Sequence, residues 1–96
     1  MVSKDNYHDN TTPGELHLRR LTVDEALPKL DKYLDDAFLD GLNQVRIVHG
    51  KGTGTLRRAI TEHLARHSLV ASYRSGEYGE GGIGVTIVGL VPKASQ

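Results

Sequence analysis

The sequence predicts an α/β fold: a two-layer sandwich, β-α-β-α-β-β, with a four-stranded mixed sheet and both helices on one face. Three observations predict it. Short alternating or β-branched runs are interleaved with two stretches that repeat apolar residues at helical spacing. Two β-α-β units favour parallel strands joined by right-handed crossovers, and crossovers stepping the same way place both helices on one side. A strand-loop-strand ending favours an antiparallel final pair.

Each element follows from local chemistry. Residues 1–14 hold Asn, Asp, Thr, Pro and Gly with little apolar content, so they read as a flexible tail or linker. Glu15 to Arg19 alternates: Leu16 and Leu18 on one face, His17 and Arg19 on the other. Thr22 and Glu25 form a Thr-x-x-Glu capping box. Val23, Leu27, Leu30, Leu34, Ala37 and Phe38 then recur as one helical stripe, which Gly41 stops. Pro28 forfeits one backbone bond, yet the periodicity continues beyond it. Gln44 to Val48 is the second strand. Leu56, Ile60 and Leu64 stripe the second helix, flanked by Ala59 and His63. Leu69 to Arg74 is the third strand, Ser75 to Gly82 a loop, and Ile83 to Val91 the fourth strand. The domain spans 15–92, and 93–96 is a C-terminal tail.

Composition excludes several classes. Leu, Ile, Val and Phe make up 25 of the 96 residues, above the roughly 20% below which chains stay disordered. The length suits one domain. There is no cysteine, hence no disulfide, thiolate nucleophile or Cys-based zinc site. The most apolar run, Ile83 to Val91, is far short of the about twenty residues of a membrane helix. The N-terminus lacks the apolar core of a secretory signal. A cytoplasmic, membrane-free protein is expected.

Twelve basic and twelve acidic residues cancel, which excludes a uniformly cationic nucleic-acid coat. The cancellation is uneven. Residues 22–42 sum to −4 and residues 43–74 to +5. Two solvated helices of opposite sign would explain this, and so would a local anion-binding patch. Position favours the patch, because several bases surround a glycine-rich loop.

That loop is His49-Gly50-Lys51-Gly52-Thr53-Gly54, between a strand and a helix. Alternating glycines let backbone N–H groups converge, and the helix N-terminus adds unpaired donors. Lys51, Arg57 and Arg58 add full charges. A Walker loop is excluded because Val45 sits where its first glycine belongs, and the dinucleotide fingerprint because Thr55 replaces its third. A backbone phosphate of nucleic acid fits better than a soluble nucleotide. His49 lies at the carboxyl end of its strand, where open α/β sheets bind ligands. His17 lies on the polar face of the first strand beside Arg19. If the strands are neighbours, two imidazoles and several cations border one site. Such groups trade protons near neutrality. RNA carries its own 2′-hydroxyl nucleophile, so one base, one acid and cationic stabilisers could cleave it. DNA hydrolysis more often uses metal-activated water. The sequence requires no cofactor and leaves a divalent metal undecided.

The run Leu16 to Leu27 resembles the opening motif of the small MutS-related (Smr) domain, as does Tyr33-Leu34-Asp35-Asp36-Ala37 before Gly41-Leu42. Val45 to Gly54 with Leu56-Arg57 is similar to its central signature, and Gly81 to Val88 to its closing motif. The wording is most similar to Smr domains that end recombination-suppressing bacterial MutS homologues. The resemblance implies a fold similar to the C-terminal domain of translation initiation factor three, with the fourth strand inserted between the second and third. It also implies nucleic-acid binding, endonucleolytic nicking in many members, and action on collided ribosomes in some. A larger MutS-type ATPase chain is the expected parent, and DNA or RNA, including the ribosome, the expected partner. Two departures stand out. His17 occupies the family's usual aspartate position, and Arg20 its usual glycine.

The expected function is therefore an endonuclease domain. Arg19, Gly50, Lys51, Gly52, Thr53, Gly54 and Arg57 would contact phosphate, and His17 and His49 would transfer protons. The alternatives are a non-catalytic module docking structured DNA or ribosomal RNA, and a protein-interaction domain using the acidic first helix.

Overall fold

The computed structural model describes residues 14–93. The chain runs β1 (Glu15–His17), α1 (Val23–Leu39), β2 (Gln44–Val48), α2 (Thr55–Leu64), β3 (Val70–Ser75) and β4 (Val85–Leu90), with a 3-10 turn at Gly82–Gly84 before β4. Of the expected tails, only Gly14 and Lys93 lie within the described residues. Gly14 accepts the Arg46 N–H at 2.8 Å, and Lys93 donates to the Leu39 carbonyl at 2.7 Å.

The sheet order is β1-β2-β4-β3, with β1 parallel to β2 and β4 antiparallel to both of its neighbours. The β-α-β rule alone would make β2 and β3 adjacent. Instead β4 fills the slot between them, as the family resemblance implies. Of the two central strands, β4 is buried on both faces, through Val85 and Ile87 on one and Val88 and Leu90 on the other, whereas β2 buries one face through Val45 and Ile47.

The helices cover one face. Leu16, Leu18, Val45, Ile47, Val88 and Leu90 meet Ala26, Leu30, Leu34 and Ala37 of α1 and Ile60 and Leu64 of α2 in one core. Both α1 ends obey their sequence signals. Thr22 accepts the Glu25 N–H at 3.1 Å while the Glu25 carboxylate accepts the Thr22 N–H at 3.0 Å. At the other end Leu42 N–H reaches the Ala37 carbonyl and Gly41 N–H the Phe38 carbonyl, both at 3.0 Å, a Schellman closure. Asp31 of α1 ties α2 to it, meeting His63 Nε2 at 2.7 Å and His67 Nε2 at 3.4 Å.

Three strands differ in their bounds from the sequence reading, β4 also ending one residue early at Leu90. β1 ends at His17, because Arg19 and Arg20 turn the chain, Arg20 with φ of 71°. β3 is displaced one residue toward the C-terminus, over Val70–Ser75. β4 begins at Val85, and Ile83 falls in the 3-10 turn. Gly81 and Gly82, at φ of 112° and 61°, curl the chain there and overrule the β preference of Ile83. The other sheet face is not bare. Val85 and Ile87 are buried on it, with Gly81 packed against Val85 and Ile87 opposite both Arg46 and Arg74. No helix among the described residues is long and apolar enough to cross a membrane.

Candidate nucleic-acid interface

Parallel pairing of β1 and β2 brings their carboxyl ends to one sheet edge, where the β2-α2 loop and the β1-α1 turn meet. A cavity of about 280 Å³ lies there, lined by Arg20 and Thr22 on one side and by residues 49–57 on the other. Two helix N-termini face this space, and they differ. That of α1 is closed by its capping box. That of α2 begins at Gly54, in the left-handed region at φ 88°, where no side chain caps the helix. Gly54 has replaced the Ser, Thr or Asp that would otherwise occupy the free donors. The backbone N–H groups of Lys51, Gly52, Thr53, Leu56 and Arg57 meet no backbone acceptor among the described residues. Thr55 N–H is held by the Thr53 hydroxyl at 3.3 Å.

Charge completes the site. Lys51 is exposed and Arg57 half-buried at the cavity wall. The Arg19 stem lies over Gly50, where a Cβ would stand only 3.1 Å from Arg19 Cγ, so a side chain at position 50 would displace it. Positive φ at Gly50 (81°) adds a second reason for glycine. Unpaired amides, a helix N-terminus and several cations around one opening are the elements of a phosphate site.

His49 sits beneath the loop, only 4% exposed. Its Nδ1 lies 2.9 Å from the Gly50 carbonyl, which can only accept, so Nδ1 carries the proton. Nε2 is then the acceptor for the Thr86 hydroxyl at 2.8 Å. The Gly84 carbonyl accepts both His49 N–H and Gly50 N–H, at 3.1 and 2.9 Å. His49 thus fastens the loop to the start of β4. Burial pushes its pKa below the ordinary value, against the raising effect of the Gly50 bond and with help from Arg57.

The structure does not bring the two imidazoles together. His49 has the parity of Val45 and Ile47 and points to the helical face. His17 pairs in register with Val48 and lies on the opposite face. There its Nε2 meets Glu15 Oε1 at 3.2 Å, while Glu15 Oε2 meets Arg46 at 3.5 Å. His17 is nevertheless close in sequence to the loop's surroundings, two residues before Arg19. Thr86, Gly84 and Arg20 were missed by sequence reasoning. Strand parity within Val85–Leu90 could have put Thr86 on the buried face, but not opposite His49. A larger groove of about 430 Å³ lies at Asp31, Asp35, His63 and His67. Arg66 also lines it, and its two imidazoles are already engaged by Asp31.

Two titrations should separate. Above 6.5, its ordinary pKa, neutral His49 contributes its full stability. That stability is lost as pH falls through its lowered folded value, because the unfolded chain binds the proton first. Glu80 is held down at about 2, chiefly by its Arg74 hydrogen bonds, so its contribution is present above 4.5 and is lost toward pH 2. Thermal melts across pH should show both declines, and His49→Gln should remove only the upper one. A single decline below 4.5 in the parent chain would contradict the buried neutral imidazole.

This architecture defines a small α/β domain with a glycine-rich loop and an uncapped helix N-terminus at a strand-to-helix junction. The Smr domain family matches residues 16–91, and the chain belongs to that family. It is 59% identical over 76 residues to the endonuclease MutS2 of Pelotomaculum thermopropionicum, covering 79% of this chain and 10% of that one. With the endonuclease MutS2 of Clostridium tetani it shares 52% over 80 residues, covering 83% and 10%. The chain therefore spans about a tenth of the length of these relatives. Among solved structures, the Smr domain of Thermus thermophilus MutS2 superposes with a TM-score of 0.80 at 51% identity, covering 81% of this chain and 98% of that one. The stand-alone small MutS-related protein YdaL of Escherichia coli gives 0.78 at 26% identity, covering 91% and 72%.

Proposed function

We propose that this domain grips a backbone phosphate of DNA or RNA in the 49–57 loop and nicks the strand beside it. The observation that carries the reading is the uncapped α2 N-terminus, whose free amides share an opening with Lys51, Arg20 and Arg57, with the Arg19 stem against Gly50 behind it. His49 holds the loop in shape, since both its ring nitrogens are bonded within the protein. Proton transfer falls to His17, which Glu15 orients through Nε2. On an RNA substrate His17 takes the proton of the 2′-hydroxyl as its oxygen bonds to phosphorus; the P–O5′ bond breaks, the 5′-oxygen leaves with a proton from water, and the loop amides and cations stabilise charge building on the phosphoryl oxygens. The similarity to MutS2 endonucleases, of which the chain covers a tenth, supports a larger parent chain that delivers the domain; a MutS-type ATPase acting in recombination suppression or ribosome rescue is the parent proposed.

A second reading, a docking module without chemistry, is favoured by one observation: His17 points to the sheet face opposite His49. Incubation with branched DNA and structured RNA, with and without chelator, decides between them. Cleavage should fall about 100-fold or more in His17→Ala, with binding retained. Binding by the unmutated 96-residue chain with no cleavage under any condition would leave the docking module.

A further inference from the structure

The β3-β4 loop carries a feature that phosphate binding leaves unexplained. Tyr78 is 105% exposed, and it makes no hydrogen bond or ring contact among the described residues. Ile83, in the same loop, is 55% exposed. Exposed aromatic side chains are ordinary on mobile loops, but this loop is braced. Arg74 and Glu80 form a bidentate pair at 2.8 and 3.0 Å. Glu80 also accepts the Glu77 N–H at 2.8 Å, and its own N–H donates to the Glu77 carbonyl at 2.7 Å. Gly82 N–H reaches the Glu77 carbonyl at 3.2 Å, closing the turn that presents Tyr78. Gly81 is seated directly on Val85. The protein thus spends several charge-assisted bonds to hold an unpartnered ring in water.

The far end of the same loop adjoins the phosphate loop. Ile83 precedes Gly84, whose carbonyl anchors His49 and Gly50 of the phosphate loop. A Cβ on Gly84 would touch Gly50 and the Lys51 stem at 3.4 Å. The Gly84 end of the apolar loop, next to Ile83, is therefore in contact with the phosphate loop. The apolar loop is also locally acidic: Arg74 neutralises Glu80, and Glu77 remains exposed. That repels a phosphate and leaves the face of a base as the part of a nucleotide suited to it.

We propose that Tyr78 and Ile83 form a stacking platform for an unpaired nucleobase next to the phosphate held by the 49–57 loop. The domain thereby selects single-stranded or unpaired nucleotides, whose base faces are open, over continuous duplex, whose base faces are already stacked. This inference rests on the phosphate-loop reading.

The test measures binding of the 96-residue chain to a short single-stranded oligonucleotide containing 2-aminopurine and to a blunt duplex of equal length. The single strand should bind more tightly, and its 2-aminopurine emission should be quenched. Tyr78→Ala should weaken single-strand binding about 5- to 100-fold, abolish the quench and leave duplex binding unchanged. Tyr78→Phe should restore both. Lys51→Ala should weaken both ligands together. If Lys51→Ala weakens both and Tyr78→Ala alters neither, the platform is refuted while the phosphate loop stands, and the ring serves a protein contact. If Tyr78→Ala acts and Lys51→Ala does not, the phosphate-loop reading fails instead. Equal weakening of single strand and duplex by Tyr78→Ala also refutes the platform.

Discussion

His49→Ala is expected to destabilise the domain by about 2–4 kcal/mol, the range for deleting a large buried side chain and stranding its partner. The imidazole is nearly inaccessible, and its removal leaves the Thr86 hydroxyl and the Gly50 carbonyl without their bonds. It also removes the side-chain tie between the phosphate loop and β4, so nucleic-acid affinity should fall with stability. Thr86→Val separates a positioning role from a reacting one. It keeps the shape of the side chain but takes the donor from Nε2, costing about 1–3 kcal/mol. If His49 acts by positioning, Thr86→Val reproduces a fraction of both losses in urea melts and binding isotherms. Full stability and full affinity in Thr86→Val would contradict that role.

Gly52→Asp should produce the largest loss of binding. Gly52 is exposed at the loop tip, with φ of 40° and open space where a Cβ would stand, so a side chain is admitted with modest backbone strain. The carboxylate would then face the same amides and cations as the phosphate. Like-charge repulsion at such distances is of order 1–3 kcal/mol near a protein surface, roughly ten- to a hundredfold in affinity. The loss should shrink as salt rises. Fluorescence anisotropy at two ionic strengths reads both effects. Undiminished affinity at low salt would remove the loop from the interface.

Much of this fold is legible because its signals are local. The Thr22–Glu25 box, the Gly41 stop and the alternation of Leu16 and Leu18 each act over a few residues, and each is realised. The glycine loop is equally local, and its place between β2 and α2 follows from the strand and helix patterns around it. What is not legible is pairing across long separations. Thr86 meets His49 from 37 residues away, and Asp31 meets His63 from 32. Neither contact leaves a mark in its own neighbourhood. The insertion of β4 between β2 and β3 is of the same kind: strand spacing gives the antiparallel ending, and the family resemblance supplies the order. One signal was present but easily overlooked. His49 shares the parity of Val45 and Ile47, which already places it on the buried face, away from His17. Ile83 shows the reverse case, where a β-branched residue is drawn out of a strand by the two glycines before it.

The phosphate grip itself is tested most directly by amide NMR of the chain titrated with a short oligonucleotide. The amides of Lys51, Gly52, Thr53, Leu56 and Arg57 should shift first and most, with smaller changes near Arg19. In Lys51→Ala the same amides should shift at higher ligand concentration, and the salt slope of binding should fall by about one. Shifts confined to α1 or to the β1 face carrying His17, with the loop amides unmoved, would contradict the account.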